Sequence, residues 1–300
     1  MRRLHRVSLI GLVLVLAMIA AACSSDTEET TTTTAAPETT TTTEAPFDLV
    51  AAVDEYLSTL PDGFYAVADM QAFKDGVAAS EALVIDVRET SEYEEGHIPG
   101  AVNIPIRTVA QSLDKIPTDR QVYVYCRTGF RAAESLTALG ILGYDNILSY
   151  KPGWVAWSDA GEEFSTEATE APVIGAPDIE PALLEAVNAY LEAIPDSYYS
   201  AGSADKVLEA AAAGTALLDV RTAGEYADGH IEDAPNIDLR SLALGFEAIP
   251  TDKNVIDYCG SGHRAGMSVA ALHILGLDNI TGYGGSYQSL VDAGAAVVAP

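Results

Sequence analysis

The strongest constraint in this sequence is that it is written twice. LVIDVRETSEYEEGHI at 83–98 returns as ALLDVRTAGEYADGHI at 216–231, and ILGYDNI at 141–147 returns as ILGLDNI at 274–280, both at an offset of 133. The same offset takes Asp86 to Asp219, Arg88 to Arg221, His97 to His230, Cys126 to Cys259 and Arg131 to Arg264. Upstream, VDEYL at 53–57 meets VNAYL at 187–191 at an offset of 134, so one small gap separates the two registers. A repeat of this length is a whole domain made twice, each copy with its own core. The 300 residues suit two domains, each of about 100–150 residues.

The repeats run over 47–160 and 182–300. Between them, 161–181 is acidic, carries Pro172, Pro177 and Pro181, and reads as a linker. Within the first repeat, Ala82–Val87, Val102–Ile104, Gln121–Tyr125 and Ile147–Tyr150 are short apolar runs of buried-strand type. Asp48–Leu60 places Leu49, Val53, Tyr56, Leu57 and Leu60 on one helical face, and Arg131–Leu142 reads as a helix that stops at Gly143. Strands alternating with helices predict an α/β fold with a mainly parallel sheet flanked by helices in each repeat.

The N-terminus is a targeting segment. Arg2, Arg3 and Arg6 form a basic region, Val7–Ala20 is uncharged and apolar, and Ala20-Ala21-Ala22 precede Cys23. The apolar run is too short for an ordinary spanning helix. The order resembles a bacterial lipoprotein signal peptide (1–22), which implies that Cys23 is lipidated and becomes the new N-terminus; Ala20 stands where the usual leucine would be. The segment 23–46 then carries the anchor on a Thr-rich, low-complexity tether. It has too little apolar surface to offset ordering entropy and is expected to be disordered, reaching roughly 25–30 Å on average. The expected location is the outer face of the cell membrane, held by lipid.

The formal net charge is -28; thirteen basic and 44 acidic residues follow Cys23, a net charge of -31 for the processed chain. Such a surface excludes nucleic acid as a partner and disfavours docking of the folded domains on anionic lipid. Three cysteines do not make a disulfide scaffold. Cys126 and Cys259 hold matching places in separate repeats, which makes them poor disulfide partners, and two free thiols outside the cytoplasm fit reactive chemistry better than packing.

The chemistry concentrates in two loops. Strand Gln121–Tyr125 runs into Cys126-Arg127-Thr128-Gly129-Phe130-Arg131, and a helix follows. A thiol at that junction sits among free backbone N–H groups at the positive end of a helix, and both favour an anion. Arg127 and Arg131 add two cations that favour a thiolate and an anionic substrate, and Gly129 lets the backbone curl around the sulfur.

The loop CRTGFR resembles the active loop of the rhodanese family, IDVRETSEYEEGHIPGAVNIP resembles that family's first signature, and Lys151-Pro152-Gly153-Trp154 lies where the family often has a Gly-Gly-Trp-like turn. The duplication covers nearly all of both repeats, and the resemblance implies tandem rhodanese-like domains and a persulfide cycle. In that cycle Cys126 takes sulfane sulfur from a donor such as thiosulfate and passes it to a thiol or cyanide. Four residues separate Cys126 from Arg131. Cysteine-based phosphatases use five, and the shorter ring suits a sulfur atom better than a phosphoryl group.

The second loop, Cys259-Gly260-Ser261-Gly262-His263-Arg264, keeps the spacing and the last arginine but has Gly260 in place of Arg127. The missing cation should weaken anion capture, His263 offers compensation only if protonated, and the second repeat is expected to be the weaker or an inactive site. In familiar tandem members of the family the C-terminal domain is often the catalytic one, so the better loop here is in the other half. His97 and His230 are expected to satisfy turn backbone, Asp86–Arg88 and Asp219–Arg221 to form ion pairs at strand ends, and Trp154, Trp157 and Tyr287 to be core or wall residues. No metal-ligand spacing, phosphate loop or dinucleotide fingerprint is visible, so neither metal nor cofactor is expected. The leading reading is an extracytoplasmic sulfurtransferase acting on a small sulfur-containing anion and a thiol or cyanide acceptor, with protein partners unidentified. The alternative is a non-catalytic lipoprotein of the same fold that binds a partner or senses sulfide.

Overall fold

The apolar runs of the first repeat become a parallel sheet, and the computed structural model describes residues 47–299. The signal peptide, Cys23 and the whole of the tether lie outside the described residues. In chain order the first repeat contains α1 (Leu49–Ser58), β1 (Ala66–Val67), α2 (Met70–Ser80), β2 (Leu83–Asp86), α3 (Thr90–Glu95), β3 (Val102–Asn103), β4 (Val122–Tyr125), α4 (Phe130–Ile141), β5 (Ile147–Tyr150) and α5 (Gly153–Asp159). The second contains α6 (Pro181–Ala193), α7 (Ala204–Ala212), β6 (Ala216–Asp219), α8 (Ala223–Ala227), β7 (His230–Ile231), α9 (Leu242–Gly245), β8 (Val255–Tyr258), α10 (His263–Ile274), β9 (Ile280–Gly282), α11 (Tyr287–Asp292) and β10 (Val297–Val298).

The first sheet has the order β1-β5-β4-β2-β3, with every neighbouring pair parallel. The second keeps the central order β6-β8-β9. Its edges shrink to single-residue bridges, Ser200 with Gly282 and Asp219 with Asn236, at the places that β1 and β3 occupy in the first repeat. The segment 161–181 holds no helix or strand before Pro181, which is the first residue of α6. Its early part turns back, and Ser165 pairs with His97 as Val298 pairs with His230.

Capping and packing explain the element ends. Asp48 caps α1 by accepting from the Ala51 N–H, so the helix begins one residue later than the apolar pattern alone suggests. At the other end of the site helix, Gly143 takes φ +94, the left-handed conformation that stops α4. Asp86 and Arg88 form a fully buried ion pair at the end of β2 (2.6 Å), and Arg88 also donates to the Gly96 carbonyl; Asp219, Arg221 and Gly229 repeat the arrangement.

Where the duplication predicts a core in each copy, the inner faces of the two repeats instead share one core. Every residue of α4 from Arg131 to Ile141 is buried, and α10 is buried along almost its whole length. Each helix lies between its own sheet and the other repeat, which is why neither shows a polar stripe. Small residues let them approach: a methyl on Gly266 would lie 2.9 Å from the Phe130 carbonyl oxygen and 3.1 Å from Ala133 Cβ. The outer faces of the sheets carry separate clusters, around Phe73 and Tyr150 in the first repeat and around Val207 and Tyr258 in the second. Among the described residues no helix is long and apolar enough to cross a membrane.

This shared core contains a carboxylate with no evident reward. Asp257 in β8 is fully buried, neither of its oxygens has a hydrogen-bond partner among the described residues, and burial pushes its carboxyl well above the usual range. The matching residue in the first repeat is Val124. A carboxyl raised in the folded state leaves stability intact below its unfolded value of about 4 and erodes it as pH rises from there. Asp257→Val is expected to stabilise the protein by on the order of 1–3 kcal/mol at pH 8, and by less at pH 4.5. Urea denaturation midpoints at the two pH values test this; an equal gain at both, or a loss at pH 8, would contradict it.

Candidate functional site

Cys126 directly follows β4, whose four residues are all buried. It therefore sits at the carboxyl edge of the sheet, where parallel α/β folds place their ligands. The loop then curls into α4 through Gly129, whose φ of +93 only glycine adopts without cost. This curl points the Gly129 N–H at the sulfur, 3.1 Å from Cys126 Sγ.

The turn Lys151-Pro152-Gly153-Trp154 backs the loop. Trp154 N–H donates to the Cys126 carbonyl (2.8 Å) and Val155 N–H to that of Arg127 (3.0 Å). Neither approach tolerates a side chain: a methyl on Gly129 would run into the Lys151 carbonyl oxygen, and one on Gly153 would lie 2.5 Å from that of Cys126. The geometry of the sulfur is thus held from behind by main-chain bonds.

Cys126 is 1% exposed and lines a cavity of about 330 Å³. Glu92, Arg127, Thr128, Phe130 and Arg131 form its near walls, and Ser197, Tyr198 and Ser200 of the second repeat close it from the other side. Arg127 is exposed and has no ion pair or side-chain hydrogen bond among the described residues, so its charge is available to a ligand. Arg131 differs from the sequence expectation of a second free cation. It makes two bonds to Glu92, at 2.6 and 2.8 Å, so much of its charge is already neutralised. Although burial opposes it, this pairing holds the Glu92 carboxyl below its ordinary value.

Tyr198 was not legible as a site residue in the sequence. Its hydroxyl donates to Glu89 (2.7 Å), which is also paired with Arg107, and its ring lies 4.5 Å from the Arg131 guanidinium. Arg107 in turn holds the strap that carries Tyr198 by donating to the Ile194 and Pro195 carbonyls, at 2.7 and 3.0 Å. Tyr198 and Tyr199 both have φ +53, and Phe64 and Tyr65, their counterparts in the first repeat, have φ +50 and +52. Two adjacent bulky residues in the left-handed region are strained, by on the order of 1–2 kcal/mol each. The signal that would have found them is the pairing of PDGFYA at 61–66 with PDSYYS at 195–200, another duplication at offset 134.

In the second repeat the backbone is copied and the opening is not. Gly262 has φ +79 and packs against the Gly284 carbonyl oxygen, and Tyr287 N–H donates to the Cys259 carbonyl (2.8 Å). Arg264 is bonded to Glu225 at 2.6 and 2.7 Å, and that bond holds the Glu225 carboxyl down at about 2. However, Cys259 is 0% exposed, its sulfur accepts no backbone N–H bond among the described residues, and it does not line the adjacent cavity of about 460 Å³. That cavity is formed by Ser261, His263 and Arg264 together with residues of the first repeat that include Phe64 and Lys151, while Gly260 and Gly262 stay outside it.

His263 supplies no compensating cation at neutral pH. It is 4% exposed, Nε2 faces the Phe64 carbonyl at 3.1 Å, and burial lowers it to about 4, with Lys151 and Arg264 adding repulsion. The neutral ring therefore donates from Nε2. His97 and His230 serve turns, with Nδ1 on the Tyr93 and Tyr226 carbonyls at 2.9 and 3.0 Å. No group of metal-binding side chains is assembled among the described residues.

The Rhodanese-like domain family model matches residues 69–160 and 203–293. The chain is similar to a sulfurtransferase of Allochromatium vinosum, with 32% identity over 94 residues, covering 31% of this chain and 88% of that protein. It is also similar to the thiosulfate sulfurtransferase GlpE of Shewanella oneidensis, with 28% identity over 82 residues, covering 27% of this chain and 81% of that protein. A match to the Bacillus subtilis protein YrkF, 30% identical over 109 residues, covers 36% of this chain and little more than half, 56%, of that relative. Among solved structures, SseA of Escherichia coli aligns with a TM-score of 0.36 and 21% identity, over 72% of this chain and 97% of that one. With the family model matched in both halves, and a cysteine at the same loop position in each, the chain belongs to the rhodanese-like domain family and carries two copies of that domain.

Proposed function

We propose that the protein is an extracytoplasmic sulfurtransferase in which Cys126 carries the sulfur. The observation that supports this most directly is the contrast between the two thiols: Cys126 lines a cavity and receives the Gly129 N–H, whereas Cys259 does neither. The Cys126 thiolate attacks the outer sulfur of thiosulfate, a sulfur–sulfur bond forms, and sulfite leaves with the electron pair of the old bond. Cyanide or a thiolate then attacks the outer sulfur of the persulfide, forming thiocyanate or a new persulfide and returning Cys126 as thiolate. No net oxidant or reductant is needed.

Each residue has a task in this cycle. The Gly129 N–H and the amino end of α4 stabilise negative charge on the sulfur before and after transfer. Arg127, exposed and unpaired among the described residues, attracts the anionic donor. At physiological salt the Debye length is about 8 Å, so the many distant carboxylates act weakly on a cavity that has a cation at its wall. Arg131, neutralised by Glu92, serves as a rigid wall more than as a charge. Tyr198 roofs the cavity and limits which acceptors reach the persulfide.

Cys126→Ser is expected to abolish thiosulfate-to-cyanide sulfur transfer, while Cys259→Ser leaves most of it. Measured in a thiocyanate assay, equal losses in the two variants would reject the assignment. Tyr198→Ala is expected to raise the glutathione-to-cyanide rate ratio by about tenfold, the scale of relieving one clash in a pocket wall. An unchanged ratio would remove Tyr198 from acceptor selection.

The lipid anchor is a further part of this proposal and rests on the sequence alone: a basic region, an apolar run and small residues ahead of Cys23. Cys23→Ser is expected to release the protein from membranes, and mass spectrometry of the wild type should find two acyl chains on an N-terminal Cys23; a chain cleaved beyond Cys23 would end this reading.

A further inference from the structure

The cavity of the second repeat is larger than that of the first, and sulfur transfer makes no use of it. Three cationic side chains line it, Lys151, Arg240 and Arg264, against two carboxylates, Asp62 and Glu225, leaving one positive charge in excess. The Cys126 cavity, with Arg127 and Arg131 against Glu92, carries the same excess, so in a chain of net charge -28 both cavities favour anions.

Its donors are not spent. Lys151 has no ion pair or side-chain hydrogen bond among the described residues. Arg240 commits Nε to the Leu60 carbonyl (2.8 Å) and Nη2 to Asp62 (3.1 Å), which leaves Nη1 without a partner among the described residues. Ser261 adds an exposed hydroxyl. Arg264, bonded through Nη1 and Nη2 to Glu225, has much of its charge already neutralised. His263 in the same wall is buried, and its Nδ1 has no hydrogen-bond partner among the described residues.

The cavity also belongs to both repeats. Lys151 comes from the turn whose carbonyl packs against Gly129 in the Cys126 loop, so the residue that faces this cavity also backs the first site. Cys259 is outside the lining, so no thiol faces what would be held there.

We propose that this cavity binds a small oxyanion of the sulfate class, held by Lys151, Arg240 and Ser261, as a ligand and not as a substrate. Sulfate is the suitable probe, because it has no sulfane sulfur to transfer and its binding is independent of the chemistry at Cys126. The chain carrying Cys126→Ser and Arg127→Gln, which strips the first cavity of its thiol and its free cation, is titrated with sodium sulfate by calorimetry, with sodium chloride at matched ionic strength as control. Saturable one-to-one binding is expected, weakened about tenfold or more by Lys151→Gln and by Arg240→Gln, the scale of losing one charged hydrogen bond. Lys151→Gln breaks no ion pair or side-chain hydrogen bond among the described residues, so it tests the site even if Arg240→Gln disturbs the strap at Leu60. Heats no larger than those of chloride, or binding that Lys151→Gln leaves unchanged, would overturn the proposal.

Discussion

The contact between α4 and α10 is the constraint on which the rest of the structure depends. Both helices leave the cysteine loops, both are buried nearly end to end, and they meet through alanines and glycines that allow close approach. Because the helices are related by duplication, their contact places the two repeats face to face. The strap of each repeat then covers the cavity of the other: Tyr198 reaches the Cys126 cavity, and Phe64 reaches the cavity beside Cys259. Neither cavity is complete within one repeat. The tandem arrangement is therefore part of the site's geometry, beyond its contribution to the shared core.

Within this symmetric frame, the two sites differ through a few substitutions at matched positions. Arg127 answers to Gly260, Glu89 to Thr222, and Phe130 to His263. The first change removes a free cation from the second loop. The second removes the carboxylate that holds the tyrosine of the strap. The third places a neutral, buried imidazole against the Phe64 carbonyl where the first repeat has a phenyl ring packed near Gly266 and Gly282. Meanwhile the main-chain devices are the same in both: left-handed glycines at Gly129 and Gly262, and a backing N–H from Trp154 or Tyr287 to the cysteine carbonyl. The two loops thus share their backbone and differ in the side chains around it.

The α/β class, the duplication and the loop positions were legible because they rest on local signals: apolar runs, a glycine stop and repeated strings. Arg127, Gly129 and Arg131 were found by their spacing from Cys126. What the sequence did not disclose is the contacts between segments far apart in the chain. Glu92 neutralises Arg131 from 39 residues away, and Tyr198 reaches the site from the other half. No periodicity encodes either contact. His263 shows the same limit: its burial, which sets its charge, follows from the strap of the first repeat folding over it. Reducing the second sheet's edges to single bridges was equally invisible, since pairing length depends on neighbours and not on the strand's own residues.

The central claim is that one duplicated loop presents its sulfur for transfer and the other withholds it. The most direct measurement is to treat the chain with thiosulfate, quench, digest and locate the added sulfur by mass spectrometry with both cysteines intact. The account predicts one extra sulfur atom on the peptide containing Cys126 and none on that containing Cys259. A persulfide on Cys259, alone or to the same extent, would contradict it.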